Sequence, residues 1–149
     1  MINQLKFSAG IKAERATIWN ALWNDNLYRE WAGVFFEGSY IKVSNWNAGS
    51  TVHFLVPDQS GIYSMIERHI PNHIIQFTHI GNVVEGKEQP IDDESKEWSG
   101  ATEIYRLIEG KITTTLEVEI DVMSEHLEFM TNTFPKALKK IKNNCNLHI

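Results

Sequence analysis

Glu103 and Tyr105 stand two residues apart in the run ATEIYRLIE, where polar and apolar groups alternate. A strand there turns both side chains to one face. Pairing through the turn at Glu109–Gly110 places them, with Leu107, alongside Ile112, Thr114, Leu116 and Val118. A carboxylate among apolar neighbours is costly unless it is paired or protonated. The same antiparallel reasoning brings Ile75, Phe77 and His79 to that face, with His53, Ser64 and Arg68 following if no bulge interrupts the register. Glu103 paired with Arg68 or His79 would act as a general acid or base, or would anchor the polar end of a ligand. The plainer alternative is a structural ion pair, or a rim residue in contact with water.

Other chemistries find less support. Of the six histidines, His53, His69, His73 and His79 fall on neighbouring strands without HxH or HExxH spacing. Alternation sets His53 and His79 on the face opposite His69. Isolated strand histidines are more often packed core or edge residues than ligands, so no metal and no cofactor are expected. His126 reads as helix surface and His148 as terminal. Cys145 is the single cysteine and has no CxxC partner, which excludes an internal disulfide and fits a reducing compartment. No Ser-His-Asp order, glycine-rich phosphate loop or zinc pattern occurs. The net charge of -5 argues against nucleic-acid or anionic-membrane binding. The cluster Lys136, Lys139, Lys140 and Lys142 reads as a solvated helix face with favourable C-terminal charge. With no secretion signal and no apolar stretch long enough to span a bilayer, the expected location is the cytoplasm.

The elements that must hold these residues are legible from periodicity. The 149 residues, 42% of them hydrophobic, suit one domain spanning 1–149 with a sizeable core. An apolar strand ends at Ile11. A helix with Ile18, Trp19 and Leu22 on one face follows, breaks at Asn24–Asp25–Asn26, and restarts with Leu27, Tyr28 and Trp31 before Gly33 stops it. Strands are predicted over 35–45, 50–57, 62–70, 73–81, 98–109 and 111–122. Asn82 to Glu97, with Gly86, Pro90 and an acidic run, reads as a long loop able to cover or gate a cavity mouth. From Ser124, Leu127, Met130, Phe134, Leu138 and Ile141 recur at helical spacing, with Pro135 inside the pattern and expected to kink it. The result is an α+β order, β-α-α-β6-α, whose last helix buries its stripe across the sheet's concave face.

This order resembles the helix-grip fold of the START-like superfamily, which includes birch-pollen-allergen, polyketide-cyclase and lipid-transfer families. The resembling residues are Ile11–Lys12–Ala13, Ile18–Trp19–Asn20–Ala21–Leu22, Trp31–Ala32–Gly33, Trp46, Gly49–Ser50, Ile70–Pro71, Ile74–Ile75–Gln76–Phe77 and the final apolar helix. They look most like the family named for activators of a heat-shock chaperone's ATPase. Two departures stand out: Glu14–Arg15–Ala16 replaces the proline often found at the first helix entry, and the acidic insertion is longer than a hairpin needs.

The resemblance implies a gap between sheet and helix that takes a small molecule. Glu103, Tyr105, His79, Arg68, His53, Phe77, Met130 and Phe134 are the cavity residues expected on this reading. Tyr40, Trp46, Tyr63, Trp98 and Phe134 would add aromatic lining, or simply core and rim packing. A hydrophobic or amphipathic ligand is the first functional expectation. An acid/base enzyme of cyclase, dehydratase or hydrolase type, using Glu103 or His79, is the alternative. A protein-interaction module with a homodimer or chaperone partner is the third.

Overall fold

Alternation in the first strand fixes which way the sheet faces. In β1 (Ile2–Ile11), Leu5, Phe7 and Ala9 turn inward, Lys6 and Ser8 turn outward, and Ile11 is fully buried. The computed structural model describes residues 2–146, so His148 lies outside the described residues.

Two short helices follow, α1 (Arg15–Trp23) and α2 (Asp25–Ala32). Asn24 divides them, because its extended backbone ends α1 while its side chain accepts from the N–H groups of Asn26 and Leu27. Such a cap is worth about 1 kcal/mol. Ile18, Trp19 and Leu22 of α1 and Tyr28 and Trp31 of α2 are buried. Trp31 Nε1 donates to the Leu22 carbonyl at 3.0 Å and locks the two helices together. Neither helix could form a core alone at this length.

The remaining strands are β2 (Tyr40–Val43), β3 (Thr51–Leu55), β4 (Gly61–Ile70), β5 (Ile74–Val84), β6 (Lys87–Glu88), β7 (Thr102–Glu109) and β8 (Thr114–Met123). They form one antiparallel sheet in the order β1-β8-β7-β5-β4-β3-β2, with β6 paired to β5 off that path. After a single helical turn at Ser124–His126, α3 (Leu127–Asn146) crosses the concave face and touches β1, β8, α1 and α2. It buries Phe134, Ala137, Leu138, Ile141 and Cys145, while Pro135 sits on its exposed side. Asn3 Nδ2 donates to Ser124 Oγ at 2.8 Å and ties the start of this segment to β1. The α+β order expected from periodicity is present, a curved antiparallel sheet around a long C-terminal helix.

Several boundaries differ from expectation. The strand predicted over 35–45 begins only at Tyr40, because the chain turns through Gly38 at φ 86. A Cβ there would stand 2.4 Å from Pro57 Cγ, so only glycine fits. The presumed loop 82–97 is partly a hairpin. β5 runs on to Val84, and Glu85 and Gly86, both at positive φ (51 and 80), make the tight turn into β6. Ile112, expected inward, lies in the turn between β7 and β8 and is exposed.

Two bulges set the interior. Ile66 pairs with Phe77 but Arg68 pairs with Gln76, which leaves Glu67 unpaired in β4. Tyr63 pairs with Gly81 but Ser64 pairs with His79, which leaves Ile80 unpaired in β5. Each extra residue flips the faces of everything beyond it.

Candidate functional site

The β5–β7 register places Phe77 opposite Glu103 and Ile75 opposite Tyr105, and the bulge at Ile80 keeps His79 on this concave face beside Ser64. Four polar side chains meet there. Ser64 Oγ and His79 Nδ1 are 2.6 Å apart, and His79 Nε2 stands 3.4 Å from Glu103 Oε1. The Tyr105 hydroxyl donates to Glu103 Oε2 in a short hydrogen bond. The carboxylate can only accept. A proton on His79 Nε2 therefore suits the contact with Glu103 and leaves Nδ1 to accept from Ser64.

Burial grades this chain. Ser64 and Tyr105 are inside, whereas the Glu103 and His79 side chains keep 25% and 13% of their surface. Burial pushes the Tyr105 phenol well above its ordinary value, and the Glu103 charge and hydrogen bond push it further. Tyr28 is raised for the same two reasons, burial first and Glu103 second. Both phenols are neutral donors at any physiological pH.

Glu103 and His79 open into a cavity of about 370 Å³ at the end of the sheet farthest from α1 and α2. Ile62, Ala101, Ile120, Val122, Met123 and Met130 give it apolar walls, and Trp98 lines it as well. The segment carrying Trp98 is shaped by Ser95, whose backbone N–H and hydroxyl both donate to Asp92 Oδ1, at 2.8 and 2.9 Å. These bonds hold the Asp92 carboxyl below its ordinary range. The cavity volume falls in the range of small-molecule sites, roughly 300–1,000 Å³.

No family profile matches the chain, and no curated protein does. Solved structures do match. The chain is similar to the Aha1 dimer from Colwellia psychrerythraea, at 18% identity and TM-score 0.68, covering 95% of this chain and 94% of that one. It is similar to Ara h 8.0201 at 11% identity and TM-score 0.63, covering 97% and 98%. A third match is protein MLL2253 from Mesorhizobium loti, at 12% identity, TM-score 0.70 and 97% coverage of both chains. The chain has the helix-grip fold.

Within this grip, aromatic rings fill the half next to the helical pair and leave the other end open. Trp23 is at the centre of that plug, with ring centroids 4.9 Å from Tyr105, 5.4 Å from Phe77 and 5.9 Å from Trp46. Its Nε1 finds no partner among the described residues. Sequence reading passed over Trp23, although its place one turn after Trp19 and four residues after it on α1 was the available signal.

Glu103, Tyr105, His79 and Phe77 share one face as the alternation required, but of these only Glu103 and His79, with Met130, line the cavity, Tyr105 and Phe77 being buried in the core. Phe134 is inside the grip but away from the cavity, stacked on Phe7 with centroids 4.8 Å apart. Arg68 does not reach the site. The bulge at Glu67 turns it outward and exposes it, and turns His69 inward instead, where its ring stacks on Trp19 at 6.0 Å. His53 also lies on the outer face, opposite Tyr63, with Nε2 2.7 Å from Glu88 Oε2. The face-sharing expected of the histidines is thus corrected: His69 and His79 share the concave face and His53 does not. Of the aromatic lining, Trp98 reaches the cavity, whereas Tyr63 packs on the outer face over Gly81 and Tyr40 lies under the Arg29 guanidinium.

Proposed function

We propose that this protein, acting as a single cytoplasmic domain, binds a small hydrophobic or amphipathic molecule in the cavity at the open end of the grip. The observation that carries this reading is an apolar chamber of about 370 Å³ with Glu103 and His79 on one wall, Glu103 being held by the buried Tyr105 hydroxyl. Apolar burial supplies affinity at about 25 cal/mol per Å² before the costs of ordering the ligand. The polar wall supplies orientation. A carrier or sensor needs nothing more. Among the described residues no helix is long and apolar enough to cross a membrane, and Cys145 is buried and free.

Native mass spectrometry of freshly purified protein tests the reading. A retained small molecule is expected, and Met130→Trp, which adds bulk to the cavity wall, is expected to lose it. An adduct equally abundant in Met130→Trp places the molecule elsewhere and defeats the proposal.

The chain Ser64–His79–Glu103–Tyr105 favours a second reading, an acid/base enzyme of cyclase or dehydratase type. Ser64 is fully buried, so a nucleophilic role has no approach path. His79 or Glu103 would move the proton. An activity that survives both His79→Ala and Glu103→Gln eliminates this mechanism. Likeness to a protein described as the Aha1 dimer lends support to a protein-interaction role as a homodimer or with a chaperone. A monomeric mass in sedimentation equilibrium at high concentration would oppose the homodimer.

A further inference from the structure

We propose that the cavity selects an organic cation with an apolar body, such as a protonated alkylamine. This rests on the cavity being a ligand site and adds the sign of the ligand's charge. Five acidic residues, Glu94, Glu97, Glu103, Asp121 and Glu125, are among those that line it, and no lysine or arginine is. Only His79 and His126 among the lining residues can carry positive charge.

The carboxylates are unequally compensated. Glu103 faces His79 and accepts from Tyr105. Asp121 accepts from the backbone N–H and the hydroxyl of Thr102, at 2.9 and 3.1 Å, and Glu125 stands 3.7 Å from His126. Glu94 and Glu97 have no ion pair and no side-chain hydrogen bond among the described residues. The negative charge therefore acts on a chamber whose apolar walls screen it less than water does. An anionic headgroup entering there meets repulsion that no lysine or arginine among the lining residues offsets. A cationic headgroup meets Glu94, Glu97 and Trp98, an indole ring being attractive to cations through its quadrupole.

The geometry also separates an organic cation from a metal ion. Among the described residues no three acidic, histidine or cysteine side chains come close enough to hold one. Charges spread around an apolar chamber suit a large, weakly hydrated cation whose tail fills the space left by Ile62, Ile120 and Met130.

Isothermal titration calorimetry of the full chain at pH 8 and low salt, with octylammonium, 1-octanol and octanoate as probes, is the test. Octylammonium is expected to bind roughly tenfold tighter than octanol, and octanoate more weakly than octanol. Added salt narrows the gap. In Glu94→Gln/Glu97→Gln, two exposed positions, the ratio of octylammonium to octanol affinity shrinks by at least about threefold. Octanol binding with octylammonium no tighter, or an advantage that the double variant leaves intact, overturns the charge preference and leaves the cavity reading standing. Failure of all three probes to bind overturns both.

Discussion

Glu103→Gln probes the polar wall with almost no change of shape. In the native site the carboxylate accepts from Tyr105 and faces His79 Nε2 at 3.4 Å. The amide keeps one acceptor for Tyr105 and turns an NH2 group toward the imidazole. His79 must then carry its proton on Nδ1 and donate to Ser64, reversing its tautomer. A hydrogen bond to a charged group is worth about 1.5–3 kcal/mol and a neutral one about 0.5–1.5 kcal/mol, so the Tyr105 bond loses roughly 1 kcal/mol. The longer His79 contact adds less, since Glu103 retains a quarter of its surface and water screens it. The total cost is about 1–2 kcal/mol, a drop in Tm of roughly 2–8 °C for a chain of this size. Thermal denaturation reads the stability, and the ¹⁵N shifts of His79 read the tautomer. An unchanged tautomer with an unchanged Tm would refute the assignment of Glu103 as the acceptor that organises this wall.

Trp23→Phe is expected to cost clearly less than Trp31→Phe in urea denaturation, because Trp23 Nε1 has no partner among the described residues whereas Trp31 Nε1 donates to Leu22. Asn24→Ala removes the acceptor for two backbone N–H groups and should cost about 1 kcal/mol, seen as a lower urea midpoint with unchanged slope. The Asp92 carboxyl lies below its ordinary range, through its bonds to Ser95. Its contribution is thus complete above the ordinary carboxylate range and is lost as pH falls through the lowered folded value. Ser95→Ala should make the acid side of the stability–pH curve shallower and speed hydrogen exchange over residues 92–98, and a curve superimposable on wild type would count against that role. Burial raises the Cys145 thiol, so native protein should react with thiol reagents far more slowly than urea-unfolded protein.

The elements were legible because their signals are local. The stripe from Leu127 to Ile141, the Asn24 break between α1 and α2, and the alternation of β1 and β8 all depend on neighbours a few residues away. The pairing of Glu103 and Tyr105 with Phe77 and His79 was legible for the same reason, since no bulge lies between those residues. Arg68 and His53 were not. The run Ile66–Glu67–Arg68–His69 gives no sign of which residue is extra, and only the packed structure, with His69 stacked on Trp19 and Arg68 turned outward, supplies the answer. The β5–β6 turn had a readable cue in Glu85–Gly86, overshadowed by the polarity of the residues beyond it. The half-filled interior depends on Trp23 meeting rings from α2, β5, β7 and the β2–β3 connection, and no sequence period encodes such a meeting.

The central claim is that a small molecule enters the open end of the grip. ¹H–¹⁵N NMR of the labelled protein titrated with 1-octanol tests it most directly. The account predicts saturable shifts centred on His79, Ala101, Ile120, Val122 and Met130, and their loss in Met130→Trp. Shifts that never saturate, or that gather on the outer face around His53 and Arg68, would contradict it.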